Sequence, residues 1–259
     1  MIPNIIHFIY GLSPDFGGKP FVLAHYLAIK SAFEVNKPEK IYFHYVYSPA
    51  GEWWERAKQY LTLTKMEPVE SIFGNQLHHF AHQADVARLT ILIEKGGIYL
   101  DMDTICVKPF HPLRKYPFVI GRQGYGKTLF GLCNAVMMAE KNAVFLTEWL
   151  HQYKTFRSNG FDDYWDEHSV VVPYLLSHAP ALRSSFHVES YKSFHYPLHD
   201  QEGLTRMFEE THVFKGAYCH HLWESISYHS YLKLLTVDSI FKHESTYNNI
   251  AKRFLNAED

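Results

Sequence analysis

The chain has 259 residues, 47% of them hydrophobic and 20% charged, and a formal net charge of −2. This balance excludes an intrinsically disordered chain and leaves enough length to bury a core in one large domain or two small ones. The near-neutral charge gives no global basic field, so a nucleic-acid partner is not expected.

In chain order, "NIIHFIYG" reads as a short buried strand that stops at a glycine turn. "PFVLAHYLAIKSAFEVN" has helical spacing and ends before Pro38, and "KIYFHYVY" is rich in strand formers. "EWWERAKQYL" predicts a short helix, and "NQLHHFAHQADVARLTILIEK" a long one closed by Gly96 and Gly97. "IYLDMDTICV" predicts one strand running toward Pro109, with "FVIG" and "NAVMMAE" as further strands. "AVFLTEWLHQYKTF" and "DEHSVVVPYLLSH" read as helices, the second despite Pro173. "FHVESYKSFHYPL" and "HVFKGAYCHHLW" read as β-like, and "VDSIFKHESTYNNIAKRFL" as one final amphipathic helix. No linker, repeat or low-complexity tract divides the chain. Alternating strands and helices predict one α/β domain with a mostly parallel sheet.

Cys106, Cys133 and Cys219 show no CxxC spacing and cannot all pair, so no disulfide framework is expected and a reducing compartment is favoured. No window reaches 18 uninterrupted apolar residues, and the apolar N-terminal run is short and lacks a basic start. The expectation is a cytoplasmic protein without a membrane span, with room for peripheral association at a membrane surface. The 18 Tyr, 19 Phe and 18 His suit a site that stacks on bases or sugars, and equally a tyrosine-rich core.

The most informative stretch is "ADVARLTILIEKGGIYLDMDTICVKPF", residues 84–110. On a strand, a period of two puts Tyr99, Asp101 and Asp103 on one face and Ile98, Leu100 and Met102 on the other. Two carboxylates on one face repel unless a cation or proton sits between them. The end of a strand is also where open α/β sheets place their ligands. A hard divalent ion, Mn²⁺ or Mg²⁺, with diphosphate oxygens completing its shell, fits that pair. Asp85 and Arg88 lie three apart on the preceding helix, which is either a local ion pair or part of the same site.

These segments resemble the DXD-containing sugar-binding region of a family of retaining glycosyltransferases. That family includes initiating α-mannosyltransferases of yeast, α1,4-galactosyltransferases, capsule-synthesis enzymes and the glucosyltransferase domains of clostridial toxins. The shared pieces, in order, are "IPNIIHFIYG", "ADVARLTILIEKGGIYLDMDTICVKP", "NAVMMAEK" and "HHLWESIS". The resemblance implies a single GT-A-like α/β domain over 1–259, with a mixed, mostly parallel central sheet flanked by helices. Residues 1–110 would form the nucleotide-sugar-binding half and 111–259 the acceptor-binding and closing half. It further implies a nucleotide-diphosphate sugar as donor, UDP favoured over GDP, and a glycan or glycolipid acceptor. Ile9 and Tyr10 would contact the base, although such enzymes commonly carry Trp at the position of Tyr10. Asp85, Arg88 and Tyr99 would contact the donor, Asn134 would lie near the transferred sugar, and Asp101 and Asp103 would hold the ion. His221, or the adjacent His220, would add a late metal ligand, while Trp223 and Ser227 would close over the diphosphate and could donate hydrogen bonds to it. Members of this family in the Golgi carry a membrane anchor; its lack here points to a bacterial or viral enzyme or a distant relative.

Competing readings exist. "GRQGYGKT", residues 121–128, matches the phosphate loop G-x-x-x-x-G-K-[ST], with Lys127 as its lysine, but such a loop must join a strand to a helix. If it is not one, this loop would lie near the acceptor. "IYLDMDTI" is similar to the DxDx[TV] nucleophile loop of haloacid-dehalogenase-type phosphatases, but Ile105 stands where that motif needs Thr or Val. A non-catalytic sugar-nucleotide-binding relative is a third reading, opposed by the intact acidic set. "GFDDYWDEHSVVVPY", residues 160–174, is a candidate part of the acceptor pocket, or a plain surface loop.

Overall fold

A computed structural model describes residues 1–124 and 129–256. The first half runs β1 (Ile5–Ile9), α1 (Leu23–Asn36), β2 (Lys40–Tyr45), α2 (Glu52–Ala57) and β3 (Thr62–Lys65), then a small hairpin of β4 (Ser71–Ile72) and β5 (Asn75–Gln76). Next come α3 (Phe80–Lys95), β6 (Gly97–Leu100), β7 (Thr104–Cys106), β8 (Phe118–Gln123) and β9 (Gly131–Ala139). The rest is α4 (Val144–Gln152), α5 (Val172–Leu176), β10 (His187–Glu189), α6 (Tyr191–Phe194), α7 (Gln201–Phe208), β11 (Cys219–His221), α8 (Glu224–Ser227), α9 (Val237–Lys242) and α10 (Thr246–Ala251).

Seven strands form the central sheet in the order β10-β8-β9-β6-β1-β2-β3. β9 runs antiparallel to both its neighbours, while the other pairs are parallel. The sheet is therefore mixed and mostly parallel, as expected. Its residues alternate between two cores, one on each face. Ile6, Phe8, Ile98, Leu100, Val119, Val136 and Met138 enter one cluster, with α1 and the C-terminal helices. Tyr99, Phe118, Ile120, Met137 and Ala139 enter the other, with α3 and α4. A strand buried on both faces favours apolar side chains at every position, which explains the runs in β6 and β9; the exception, Asn134, is satisfied by Arg88 and Asp85.

The step from α3 into β6 depends on glycine. Gly96 ends the helix at φ +67°, and Gly97 follows at φ +115°. A Cβ on Gly97 would sit 2.7 Å from the Ile5 carbonyl oxygen and 2.9 Å from His7 Nε2. Only a residue without a side chain lets the helix return at once into a central strand.

Several sequence-based expectations shift. α3 begins at Phe80 rather than 75, because His79 caps it through Nδ1, accepting from the Ala81 N–H at 3.1 Å. The strand expected over 98–107 breaks after Leu100. The chain turns through Asp101, Met102 and Asp103, and β7 then pairs with β11 outside the central sheet. The final helix is two, α9 and α10, each with its own cap at Thr236 and Ser245. Residues 186–198 hold a three-residue strand and then α6, and Pro173 sits in the first turn of α5, where its missing N–H costs nothing.

Candidate active site

The turn after β6 lies at the C-terminal end of a central strand, facing a cleft of roughly 590 Å³. Two polar groups line its floor. The first is centred on Arg88, from α3. Its Nη1 lies 3.1 Å from Asp101 Oδ1 and donates to Asp101 Oδ2 at 3.4 Å, to the Asn134 carbonyl at 3.1 Å and to Asn134 Oδ1 at 3.0 Å. Asn134 Nδ2 in turn donates to Asp85 Oδ1 at 2.7 Å, and Asp85 lies 3.6 Å from Arg88 Nη2. Tyr99 O–H donates to Asp101 Oδ1 at 2.6 Å, with the guanidinium 4.6 Å from the Tyr99 ring centre. Burial opposes the Arg88 charge, but Asp101, Tyr99 and Asp85 outweigh it and hold the group firmly protonated. Burial also pushes the Asp101 carboxyl and the Tyr99 phenol upward.

The second group joins β6 to the C-terminal part of the chain. Asp103 Oδ2 accepts the Glu224 N–H at 2.6 Å and lies 3.2 Å from His221 Nε2. The Asp103 carbonyl accepts the Leu222 N–H, so the β7–β11 pairing carries His221 to the acidic turn. Burial works against the Asp103 charge, yet His221 and the Glu224 N–H bring its pKa down to about 2. Burial likewise opposes a charged His221, but the Asp103 carboxylate reverses this and raises it well above the usual histidine value.

Ligand atoms of Asp101, Asp103 and His221 lie within 4.8 Å of one another. Two carboxylate oxygens and an imidazole nitrogen suit a Mn²⁺- or Mg²⁺-like ion that keeps open positions for substrate oxygens. His220 is not in this group: its Nδ1 is bonded to the Tyr196 carbonyl at 2.6 Å. Geometry therefore selects His221 of the two adjacent histidines.

Ile9, Tyr10, Asp85, Arg88, Tyr99, Asp101, Asp103, Asn134, His221 and Trp223 all border the cleft. Ser227 does not; it is fully buried inside α8, and Glu224, Ser225 and Ile226 stand at the cleft instead. The Trp223 N–H is engaged by the Pro197 carbonyl at 3.0 Å. Neither the expected Trp223 N–H nor the expected Ser227 O–H is therefore presented to a diphosphate. Trp223, in a left-handed conformation at φ +57°, turns its indole inward beside His221, with ring centres 4.2 Å apart.

Sequence reasoning missed Glu224, whose Oε1 binds His25 Nε2 at 2.6 Å, and the aromatic wall of His79 and Phe80. From the stretch 160–174, Phe161, Trp165, Asp166, Ser169 and Val170 line the cleft. Phe161 is 83% exposed and stacks on Trp165 at 4.4 Å between ring centres. An acidic loop rich in aromatics was the legible signal there. In "GRQGYGKT", residues 121–123 lie within β8, which pairs antiparallel with β9; Phe130 N–H bonds back to the Gln123 carbonyl at 2.8 Å. Two antiparallel partners flank the motif where a phosphate loop needs a strand and a helix. Its residues 125–128, Lys127 among them, lie outside the described residues. Among the described residues no helix is long and apolar enough to cross a membrane.

Known proteins resemble this chain in sequence and in fold. Residues 25–119 match the family described as the glycosyltransferase sugar-binding region containing the DXD motif. That stretch contains Asp85, Arg88, Tyr99, Asp101 and Asp103, but not Asn134 or His221. Glucan organizing enzyme 1 of Cryptococcus neoformans var. grubii is 37% identical over 273 residues, spanning 100% of this chain and 72% of that protein. Inositol phosphoceramide mannosyltransferase 3 of Schizosaccharomyces pombe is 36% identical over 77 residues, 30% of this chain and 20% of that protein. Among solved structures, mouse xyloside xylosyltransferase 1 superposes with a TM-score of 0.50 at 12% identity, over 85% of this chain and 98% of that one. At that identity the likeness concerns the fold, which is GT-A-like.

Proposed function

The chain belongs to the DXD-containing glycosyltransferase family, and from that premise we propose a metal-dependent, retaining hexosyltransferase. It takes the sugar of a nucleotide diphosphate, UDP before GDP, to a hydroxyl of a glycan or glycolipid acceptor. The observation that carries this reading is the convergence of Asp101, Asp103 and His221 at one end of a cleft walled by Tyr10, Phe16 and Tyr99.

Each residue has a distinct part. Tyr10, stacked on Phe16 at 5.5 Å, offers an aromatic surface to the base beside Ile9. Asp85, Arg88 and Asn134 orient the donor sugar; their mutual hydrogen bonds fix each rotamer before substrate arrives. Asp101, Asp103 and His221 would hold a Mn²⁺- or Mg²⁺-like ion, which when bound supplies Lewis-acid stabilisation of the departing diphosphate. Tyr99 and Arg88 keep Asp101 oriented toward that position. The aromatic groups of Phe161 and Trp165, which line the cleft, would meet the acceptor. Among the described cleft residues, Asp85 and Asp101 are both occupied by Arg88 and Asn134 or Tyr99, so neither is a free nucleophile. Attack by the acceptor on the face the leaving group vacates, assisted by the leaving phosphate, fits that arrangement.

The test is a transfer assay with Mn²⁺, a panel of UDP- and GDP-sugars and simple glycoside acceptors, with the new anomeric centre read by NMR. The reading predicts turnover of one donor with the anomeric configuration kept. Inverted product would remove the retaining assignment, and turnover unaffected by a chelator would remove the metal.

A further inference from the structure

His221 also belongs to a second group of ligand atoms. Cys133 Sγ on β9, His195 after α6 and the His221 ring come within 4.8 Å of one another, and all three residues are buried. His195 is fully buried, yet neither of its ring nitrogens has a hydrogen-bond partner, and His221 Nδ1 has none either. An unpaired buried polar atom opposes folding, so three in one place call for an explanation. The backbone is shaped around the cluster. A Cβ on Gly121 would stand 3.1 Å from His195 Nε2 and 2.7 Å from the Phe194 ring. The first glycine of "GRQGYGKT" thus makes room for an imidazole.

We propose that Cys133, His195 and His221 form a buried site for a thiophilic transition-metal ion, with Zn²⁺ the best fit. One sulfur and two nitrogens are the donor set of a soft to borderline cation, in contrast to the oxygen-rich Asp101–Asp103 edge. Zn–S of about 2.3 Å and Zn–N of about 2.0 Å require these side chains to close in by roughly 1 Å. Binding displaces the thiol proton of Cys133 and the proton on His221 Nδ1. His221 is common to both sites: its Nε2 lies 3.2 Å from Asp103 Oδ2, and its Nδ1, buried without a hydrogen-bond partner, is the nitrogen left for the second ion. A neutral imidazole offers one lone pair, so an ion on Nδ1 withdraws His221 from the acidic edge. Zn²⁺ is therefore an antagonist of the Mn²⁺-dependent reaction; that antagonism rests on the function proposed above, whereas the site itself does not.

Cobalt(II) reports the site directly. Titration of the apo protein with Co²⁺ is expected to produce a thiolate-to-cobalt charge-transfer band in the near ultraviolet. The band should persist in Asp103→Asn and vanish in both Cys133→Ser and His195→Leu, with folding of each variant followed by circular dichroism. Cys106 and Cys219 remain in every variant, so a band surviving in Cys133→Ser would overturn the assignment, as would its absence from folded wild-type protein. Mn²⁺ affinity measured by electron paramagnetic resonance should fall at least ~10-fold when Zn²⁺ is bound, about 1.4 kcal/mol of coupling. Unchanged Mn²⁺ affinity in the presence of bound Zn²⁺ would overturn the sharing of His221.

Discussion

The two halves of the cleft floor are built on opposite principles. Around Arg88, the side chains of Asp85, Tyr99, Asp101 and Asn134 all have protein partners and sit on or directly after long elements, α3, β6 and β9, although the buried Tyr153 hydroxyl close by has none. Around His221, polar atoms are left over. His195 Nδ1 and Nε2, His221 Nδ1 and Ser227 Oγ are buried without partners, on or beside the short elements β11, α6 and α8. A saturated network defines geometry, because any displacement breaks several bonds at once. An unsaturated one carries affinity for something else. On the function proposed above, the first half would be a template for a sugar and the second a set of ligands.

Removing the hub of the saturated half should have the largest effect on stability. Arg88→Leu leaves Asp85 and Asp101 buried without their counter-charge and is expected to cost about 3–5 kcal/mol, measured by urea unfolding. A loss under about 1 kcal/mol would mean that the network is not a structural unit. Asp103→Asn should act chiefly on activity, lowering transfer by at least ~100-fold, about 2.7 kcal/mol in the barrier, while the chain still unfolds cooperatively at a stability reduced by loss of the His221 pair. Asn134→Ala removes two bonds within the saturated half and is expected to lose about 1–3 kcal/mol. Ser227→Ala, in the unsaturated half, takes away a buried hydroxyl with no partner and should change stability by less than about 1 kcal/mol, or raise it.

Acid sharpens the contrast, acting on the scaffold at a pH where the Asp103 carboxylate keeps its charge. His7 and His44 sit behind Gly97, with His7 Nδ1 3.1 Å from His44 Nε2. Burial depresses them to about 4 and about 3. Unfolded histidine titrates near 6.5, so below that pH the unfolded chain takes up protons that the native one refuses. Stability is therefore full above about 6.5 and falls toward pH 4, by up to about 1.4 kcal/mol per pH unit per histidine. His7→Gln should flatten the slope of unfolding free energy against pH; an unchanged slope would assign acid sensitivity elsewhere.

Much of the saturated half was legible in the sequence. Asp85 and Arg88 three apart, the paired glycines and the alternation of Tyr99 and Asp101 are local patterns with local causes. What could not be read is what the chain does after Leu100. The period of two was extended through Asp103 into one strand, whereas β7 leaves the sheet to pair with β11, more than a hundred residues later. That long-range pairing decides between His220 and His221, and it brings Glu224 to Asp103. Trp223 and Ser227 show the same limit: their side chains turn inward through the left-handed residue at the start of α8, a backbone choice that an aromatic residue does not advertise. The phosphate-loop match was a local pattern without its context, and the pairing of β8 with β9 removes that context.

The central claim, that the Asp101–Asp103–His221 edge is a metal-dependent nucleotide-diphosphate site, is tested most directly by thermal unfolding with UDP in the presence and absence of Mn²⁺. At about 100 times its dissociation constant a ligand adds roughly 2.7 kcal/mol, which for a chain of this size raises the midpoint by roughly 5–10 °C. The account predicts a rise with UDP that requires Mn²⁺ in the wild-type protein and is absent in Asp103→Asn. A rise of equal size without Mn²⁺, or one retained in Asp103→Asn, would contradict it.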